Sequence, residues 1–103
     1  MCGLVGVCTY QLQHAHVAID NGLSALIHRG PDDEGSFFHS ARMSLGLGLR
    51  RLAIQDLSVS GHQPMSTKDG RYVISFNGEI TNFLELRRYL QSLGYSFVSQ
   101  TDT

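Results

Sequence analysis

The chain has little charge, only two cysteines and no long hydrophobic run. Charged residues make up 17% of its 103 residues and the formal net charge is -1, which leaves neither a broad basic surface for nucleic acid nor an acidic tail. Any partner must be recognised locally. The longest apolar stretches are short and interrupted, as in Leu45-Gly46-Leu47-Gly48-Leu49. They fall far below the roughly 20 residues that cross a bilayer, so no membrane partner is expected. No basic segment followed by a long apolar stretch opens the sequence, so no secretory signal is expected and a cytoplasmic location is. The two cysteines, Cys2 and Cys8, lie in a stretch that reads as extended. Six residues of strand separate them by about 20 Å, whereas a disulfide needs Cα atoms within roughly 7 Å. They cannot pair unless the segment folds back, and Cys8 reads most simply as a small buried apolar residue.

What is present is one core's worth of apolar residues, 42% of the chain, and a mixture of strand and helix patterns. Residues 3 to 10 read as a strand buried on both faces. Ala15, Ala18, Ile19, Gly22, Leu23, Leu26 and Ile27 recur at threes and fours, which predicts a helix over 15–27 ended by Gly30-Pro31. Short strands are expected at 35–39, 43–49 and 52–56, and the clearest by β-propensity at 71–76. A second helix should begin near Asn82, with Asn82 and Glu85 as a capping box and Phe83, Leu86, Leu90 and Leu93 as its apolar face, and end at Gly94. Another strand is expected at 95–99. The pattern is α+β.

Several motifs carry chemistry. Removal of Met1 would leave Cys2 with a thiol and a free α-amine, so nucleophile and base would reside in one residue. Position alone is also compatible with an ordinary buried thiol. Gly46-Leu-Gly48 lacks the third glycine and following helix of a dinucleotide loop. His14-x-His16 offers two imidazoles without a third ligand, and His28, His39 and His62 are scattered, so no metal and no histidine triad is expected. Asn77-Gly78 is a hairpin signal in isolation, but here it stands between a strand and a helix. There an asparagine amide and the next main-chain N–H can converge on one point, as a tetrahedral oxyanion requires. Arg50-Arg51 is either two solvated charges or the source of a bidentate carboxylate ligand, and Asp102 is equally open.

Taken together, Met1-Cys2-Gly3, the block His28-Arg-Gly-Pro-Asp-Asp-Glu-Gly35, Arg50-Arg-Leu-Ala-Ile54 with Asp56-Leu-Ser58, Gly61-His-Gln-Pro-Met65 and Phe76-Asn-Gly-Glu-Ile80 with Asn82 resemble the class II glutamine amidotransferases. They are most similar to the glutaminase domain of glutamine-dependent asparagine synthetases. Five blocks in the family's order cover nearly the whole chain. The resemblance implies an N-terminal-nucleophile hydrolase fold, an αββα sandwich of two antiparallel sheets between helices. It also implies that Cys2 attacks the side-chain amide of glutamine, forms a thioester and releases ammonia, with its own α-amine shuttling protons. Asn77 and Gly78 would form the oxyanion hole. Arg51 would hold the glutamine α-carboxylate, Asp102 with Glu79 the amino end, and Leu52 and Ile54 would line the pocket.

A pocket with an arginine and an aspartate at opposite sides selects a free amino acid over a neutral amide. The family usually has His where Leu49 stands and Tyr where Thr81 stands, which touches fine specificity. Its glutaminase domain is longer than 103 residues, so the chain is expected to be the N-terminal part of an incomplete sandwich, unstable in isolation because edge strands are left uncovered. No cofactor is expected in this segment. ATP and Mg are implied for an ammonia-accepting synthetase domain outside it, and a homodimer of the full-length protein is compatible with the resemblance. Two alternatives stay open: an amidotransferase of the same class with another ammonia acceptor, and a non-catalytic glutamine-binding fragment.

Overall fold

The run Ser44-Leu-Gly-Leu-Gly-Leu-Arg-Arg51 sets small residues against leucines at a period of two, which gives a strand one flat face and one bulky face. In the computed structural model, which describes residues 2–53 and 59–103, this run is the central strand of an antiparallel sheet. Strand β1 (Gly3–Thr9) pairs with one of its edges and β2 (Asp33–Ser40) with the other, β3 being Ser44–Arg51 itself. The register sets Gly3 opposite Arg50 and Asp33 opposite Arg51. Helix α1 (Leu12–Ala25) packs on the flat face. A Cβ at Gly46 or Gly48 would press into Ile19, so the missing side chains are what lets the helix seat. Ile19 and Ala15 are fully buried there, and Leu23 nearly so. Burying Ile19 alone contributes about 1.5–3 kcal/mol.

The helix starts at Leu12, three residues before the expected start, because its first turn is exposed. Apolar periodicity reports only the buried stripe, Ala15-Ile19-Leu23. It also ends earlier than expected, at Ala25. The Leu26 N–H already reaches both Gly22 O and Leu23 O, and Arg29 N–H closes a turn on Leu26 O. Gly30 therefore does not end the helix. A Cβ there would strike the main chain of Arg50 and Arg51, so its role is close passage of the chain across the end of β3. Strand β1 is buried on one face only, with Leu4, Gly6 and Cys8 exposed on the other. Cys8 is thus an exposed free thiol and not the buried one expected, because the face opposite α1 is uncovered at that end.

The second sheet is a two-stranded hairpin, β4 (Met65–Ser66) with β5 (Val73–Ile74). Its turn is closed by Thr67 N–H on Tyr72 O and Gly70 N–H on Thr67 O. The strand expected over 71–76 shrinks to two residues. Pro64 has no N–H to extend the ladder, and the Phe76 N–H turns to the Gln63 side chain. Helix α2 (Phe83–Ser92) follows with Asn82 at its N-cap, but the Asn82 side chain makes no capping bond.

Its C-terminus is a Schellman closure. Tyr95 N–H bonds Leu90 O, Gly94 N–H bonds Gln91 O, and Gly94 adopts φ 93°. Of the expected apolar face, Phe83 and Leu90 are half-buried while Leu86 and Leu93 are exposed. Residues 95–99 form no strand; the carbonyls further along this segment go to an arginine of α2. The strand expected at 52–56 is irregular at Leu52 and Ala53, and its remainder lies outside the described residues. The architecture is α+β, an antiparallel sheet packed against a helix.

Candidate functional site

Cys2 stands one residue before β1, and the pairing of Gly3 with Arg50 carries it to the segment just after β3. There the Leu52 N–H donates to Cys2 Sγ at 3.4 Å, and the thiol lies 3.9 Å from Leu52 O. Asp32 fixes this segment twice. Its N–H donates to Arg51 O at 3.1 Å, and its Oδ2 accepts the Ala53 N–H at 2.9 Å.

The loop between β5 and α2 arrives from the other side. The Asn77 Nδ2 donates to Cys2 O at 3.0 Å across 75 residues of sequence. Asn77, Gly78 and Glu79 are exposed, and Cys2 is half-buried. The Phe76 ring folds against Gly78, where a Cβ would meet it at 2.7 Å. Two residues beyond Gly78, the Ile80 N–H donates to Asp102 Oδ2 at 2.7 Å. Four stretches of chain thus converge: Cys2, the 51–53 segment, the 77–80 loop and Asp102.

The two adjacent arginines separate because neighbours on a strand point to opposite faces. Arg50 lies on the α1 side, paired with Glu34 at 2.6 Å and donating from Nε to Leu23 O at 3.1 Å. Arg51 is on the other face, 7% exposed, with its guanidinium against Gly61. Leu49 shares that face two residues earlier and is fully buried. Thr81 is exposed just before α2. Gly46 and Gly48, weighed above as a phosphate loop, lie inside β3 with their main chains in the sheet. Met1 and Ile54 lie outside the described residues.

Three polar residues that the sequence did not single out tie the site together. Asp32 holds the segment that meets the sulfur. Gln63, 7% exposed, accepts the Phe76 N–H on Oε1 at 2.6 Å and donates from Nε2 to Thr103 Oγ1 at 3.3 Å. Arg87 grips the segment leading into Asp102. The signal for Asp32 and Gln63 was their place inside ordered motif blocks; nothing in the sequence marked Arg87 beyond its position on an amphipathic helix.

The glutamine amidotransferase domain family matches residues 1–103, and the chain belongs to this family. It is related to glutamine-hydrolysing asparagine synthetases. It is 42% identical over 107 residues to asparagine synthetase [glutamine-hydrolyzing] 1 of Bacillus subtilis, covering 100% of this chain and 16% of that protein. It is 40% identical over 102 residues to a putative asparagine synthetase [glutamine-hydrolyzing] 2 of Methanocaldococcus jannaschii, 84% of this chain and 20% of that protein. A shorter match, 48% identical over 46 residues, joins 45% of the chain to 7% of glutamine–fructose-6-phosphate aminotransferase [isomerizing] 2 of Mus musculus. The chain therefore spans a fifth or less of the length of these relatives. No solved structure matches it significantly. Among the described residues, no helix is long and apolar enough to cross a membrane.

Proposed function

We propose that the domain hydrolyses glutamine to glutamate and ammonia through a Cys2 thioester, and that the ammonia feeds ATP-dependent synthesis of asparagine from aspartate in the full-length protein. The observation that carries this reading is the meeting of the Leu52 N–H and the Asn77 amide at Cys2. With Met1 removed, the Cys2 α-amine takes the thiol proton and Sγ attacks the side-chain carbonyl carbon of glutamine. An amide nitrogen carries two hydrogens. One on Asn77 Nδ2 serves Cys2 O, and the other is available to the oxyanion beside the Gly78 N–H. Collapse breaks the C–N bond, the α-amine returns the proton to the leaving ammonia, and water then hydrolyses the thioester.

In this reading Arg51 binds the glutamine α-carboxylate, Asp102 and Glu79 bind the α-ammonium, and Leu52 and Ile54 line the pocket. The complete domain is the αββα sandwich of N-terminal-nucleophile hydrolases, of which this chain is the N-terminal portion. ATP and Mg belong to the synthetase domain. The residues here do not fit them, since the Gly46-Leu-Gly48 run is committed to β3.

The test uses the full-length protein. Cys2→Ala should abolish glutamate release from glutamine while ammonia-dependent synthesis continues, and Cys8→Ala should leave both intact. Equal glutaminase activity in wild type and Cys2→Ala would sink the assignment. The match to an aminotransferase named for fructose 6-phosphate favours one second reading, a different nitrogen acceptor on the same glutaminase. Supplying aspartate with ATP, or fructose 6-phosphate, separates the two.

A further inference from the structure

The segment that carries Asp102 is held before that residue by Arg87 and after it by Gln63, while the carboxylate itself accepts the Ile80 N–H. Arg87, on the second turn of α2, lays its guanidinium fork over the approach to Asp102. Nη1 donates to Ser99 O and Nη2 to Thr101 O, both at 2.8 Å. The fork is further fixed by two aromatic faces, with its carbon 4.9 Å from the Phe97 ring centroid and 5.9 Å from that of Phe83. Ser99 and Thr101 are buried and their hydroxyls lie 3.1 Å apart, while the Thr103 N–H donates to Thr101 Oγ1 at 3.3 Å. Beyond Asp102, Thr103 Oγ1 receives Gln63 Nε2. Among the described residues this segment has no strand neighbour to take its carbonyls, so those of Ser99 and Thr101 depend on Arg87.

We propose that Arg87 is a positioning residue for recognition of the glutamine α-ammonium. It captures two carbonyls on the same side of Asp102, and so sets where the carboxylate stands relative to the 77–80 loop. This inference rests on the reading of Asp102 as the ammonium ligand. The planar fork offers a separate nitrogen to each carbonyl in a fixed geometry, which a single ammonium nitrogen on a flexible stem does not reproduce. Arg87 therefore acts through geometry and not through charge alone.

The experiment compares glutamine with glutaramate, which is glutamine without its α-amine, in the full-length protein. The readout is the ratio of kcat/KM for the two substrates, measured by ammonia release. Asp102→Asn should lower that ratio by about a hundredfold, since it removes a charged partner of the ammonium. Arg87→Met and Arg87→Lys should each lower it by about tenfold, with KM for glutamine rising more than kcat falls. Arg87→Met/Asp102→Asn should be no worse in the ratio than Asp102→Asn alone. A merely structural role would depress both substrates together and leave the ratio unchanged, which overturns the proposal. Full rescue by Arg87→Lys overturns it as well. An unchanged ratio in Asp102→Asn removes its foundation by refuting the ammonium-ligand reading, whereas loss in Asp102→Asn without loss in either Arg87 variant refutes the clamp alone.

Discussion

Replacing Gln63 by methionine removes two hydrogen bonds while keeping the length of the side chain. A main-chain N–H can only donate, so Gln63 Oε1 must face Phe76 and Nε2 must face Thr103, as observed at 2.6 and 3.3 Å. In Gln63→Met the Phe76 N–H loses its acceptor beside a residue that is only 7% exposed. An orphaned buried donor costs about 1–3 kcal/mol, or about 5- to 150-fold in a local opening equilibrium. Phe76 is half-buried, so water offsets part of the loss and the lower half of that range applies, about 5- to 30-fold.

The assay is amide hydrogen exchange of the full-length protein, resolved at Phe76 and over residues 71–80. Gln63→Met should exchange faster there by that factor, and the change should reach Asn77. Gln63→Glu keeps an acceptor for Phe76, and the Thr103 hydroxyl can turn to donate to the new carboxylate, so Phe76 should stay protected. Unchanged exchange at Phe76 in Gln63→Met would refute the claim that this side chain anchors the approach to Asn77-Gly78.

Gly30→Ala should destabilise the domain by about 1–3 kcal/mol or more, read as a lowered denaturation midpoint, because its methyl would strike the main chain of Arg50 and Arg51 and neither is free to move out of β3. Asp69 should titrate below its ordinary value of 3.8, mainly through the Thr67 hydroxyl at 2.6 Å and then the Arg71 N–H at 3.1 Å. A carboxyl that is more acidic when folded stabilises the turn at pH above its unfolded value and loses that contribution as pH falls through its folded one. An NMR titration checks this, and Thr67→Val should move the midpoint back up.

The part of the fold legible in sequence was the part set by local pattern. The Ala15-Ile19-Leu23 stripe marked α1, the strand expected at 43–49 is β3 at Ser44–Arg51, and Gly94 marked the end of α2. What was not legible depended on partners distant in the chain. Arg71–Phe76 has strand propensity throughout, but only Val73 and Ile74 find a neighbour, since Pro64 ends the opposing ladder. Gly30-Pro31 reads as a helix stop, yet Gly30 answers to β3 twenty residues away.

The site divided the same way. Cys2 and Asn77 stood in motif blocks and Asp102 was given a role only by the resemblance; the structure brings Asn77 to Cys2 and Asp102 to Ile80. Asp32, Gln63 and Arg87 act by donating to or accepting from main chain, and main-chain partners have no side-chain identity to read. On residue chemistry alone Arg50 and Arg51 were equivalent, and it is the two faces of the strand that separate their surroundings.

The central claim is that Cys2, freed of Met1, is the group that attacks glutamine. It is tested most directly by incubating the full-length protein with diazo-oxo-norleucine, a glutamine analogue whose diazoketone alkylates a thiol in place of amide attack, and mapping the adduct by peptide mass spectrometry. The predicted result is one adduct, on an N-terminal peptide that begins at Cys2 with a free α-amine, and protection of that peptide by glutamine. An adduct on Cys8, an unlabelled Cys2, or a Cys2 peptide that still carries Met1 would contradict it.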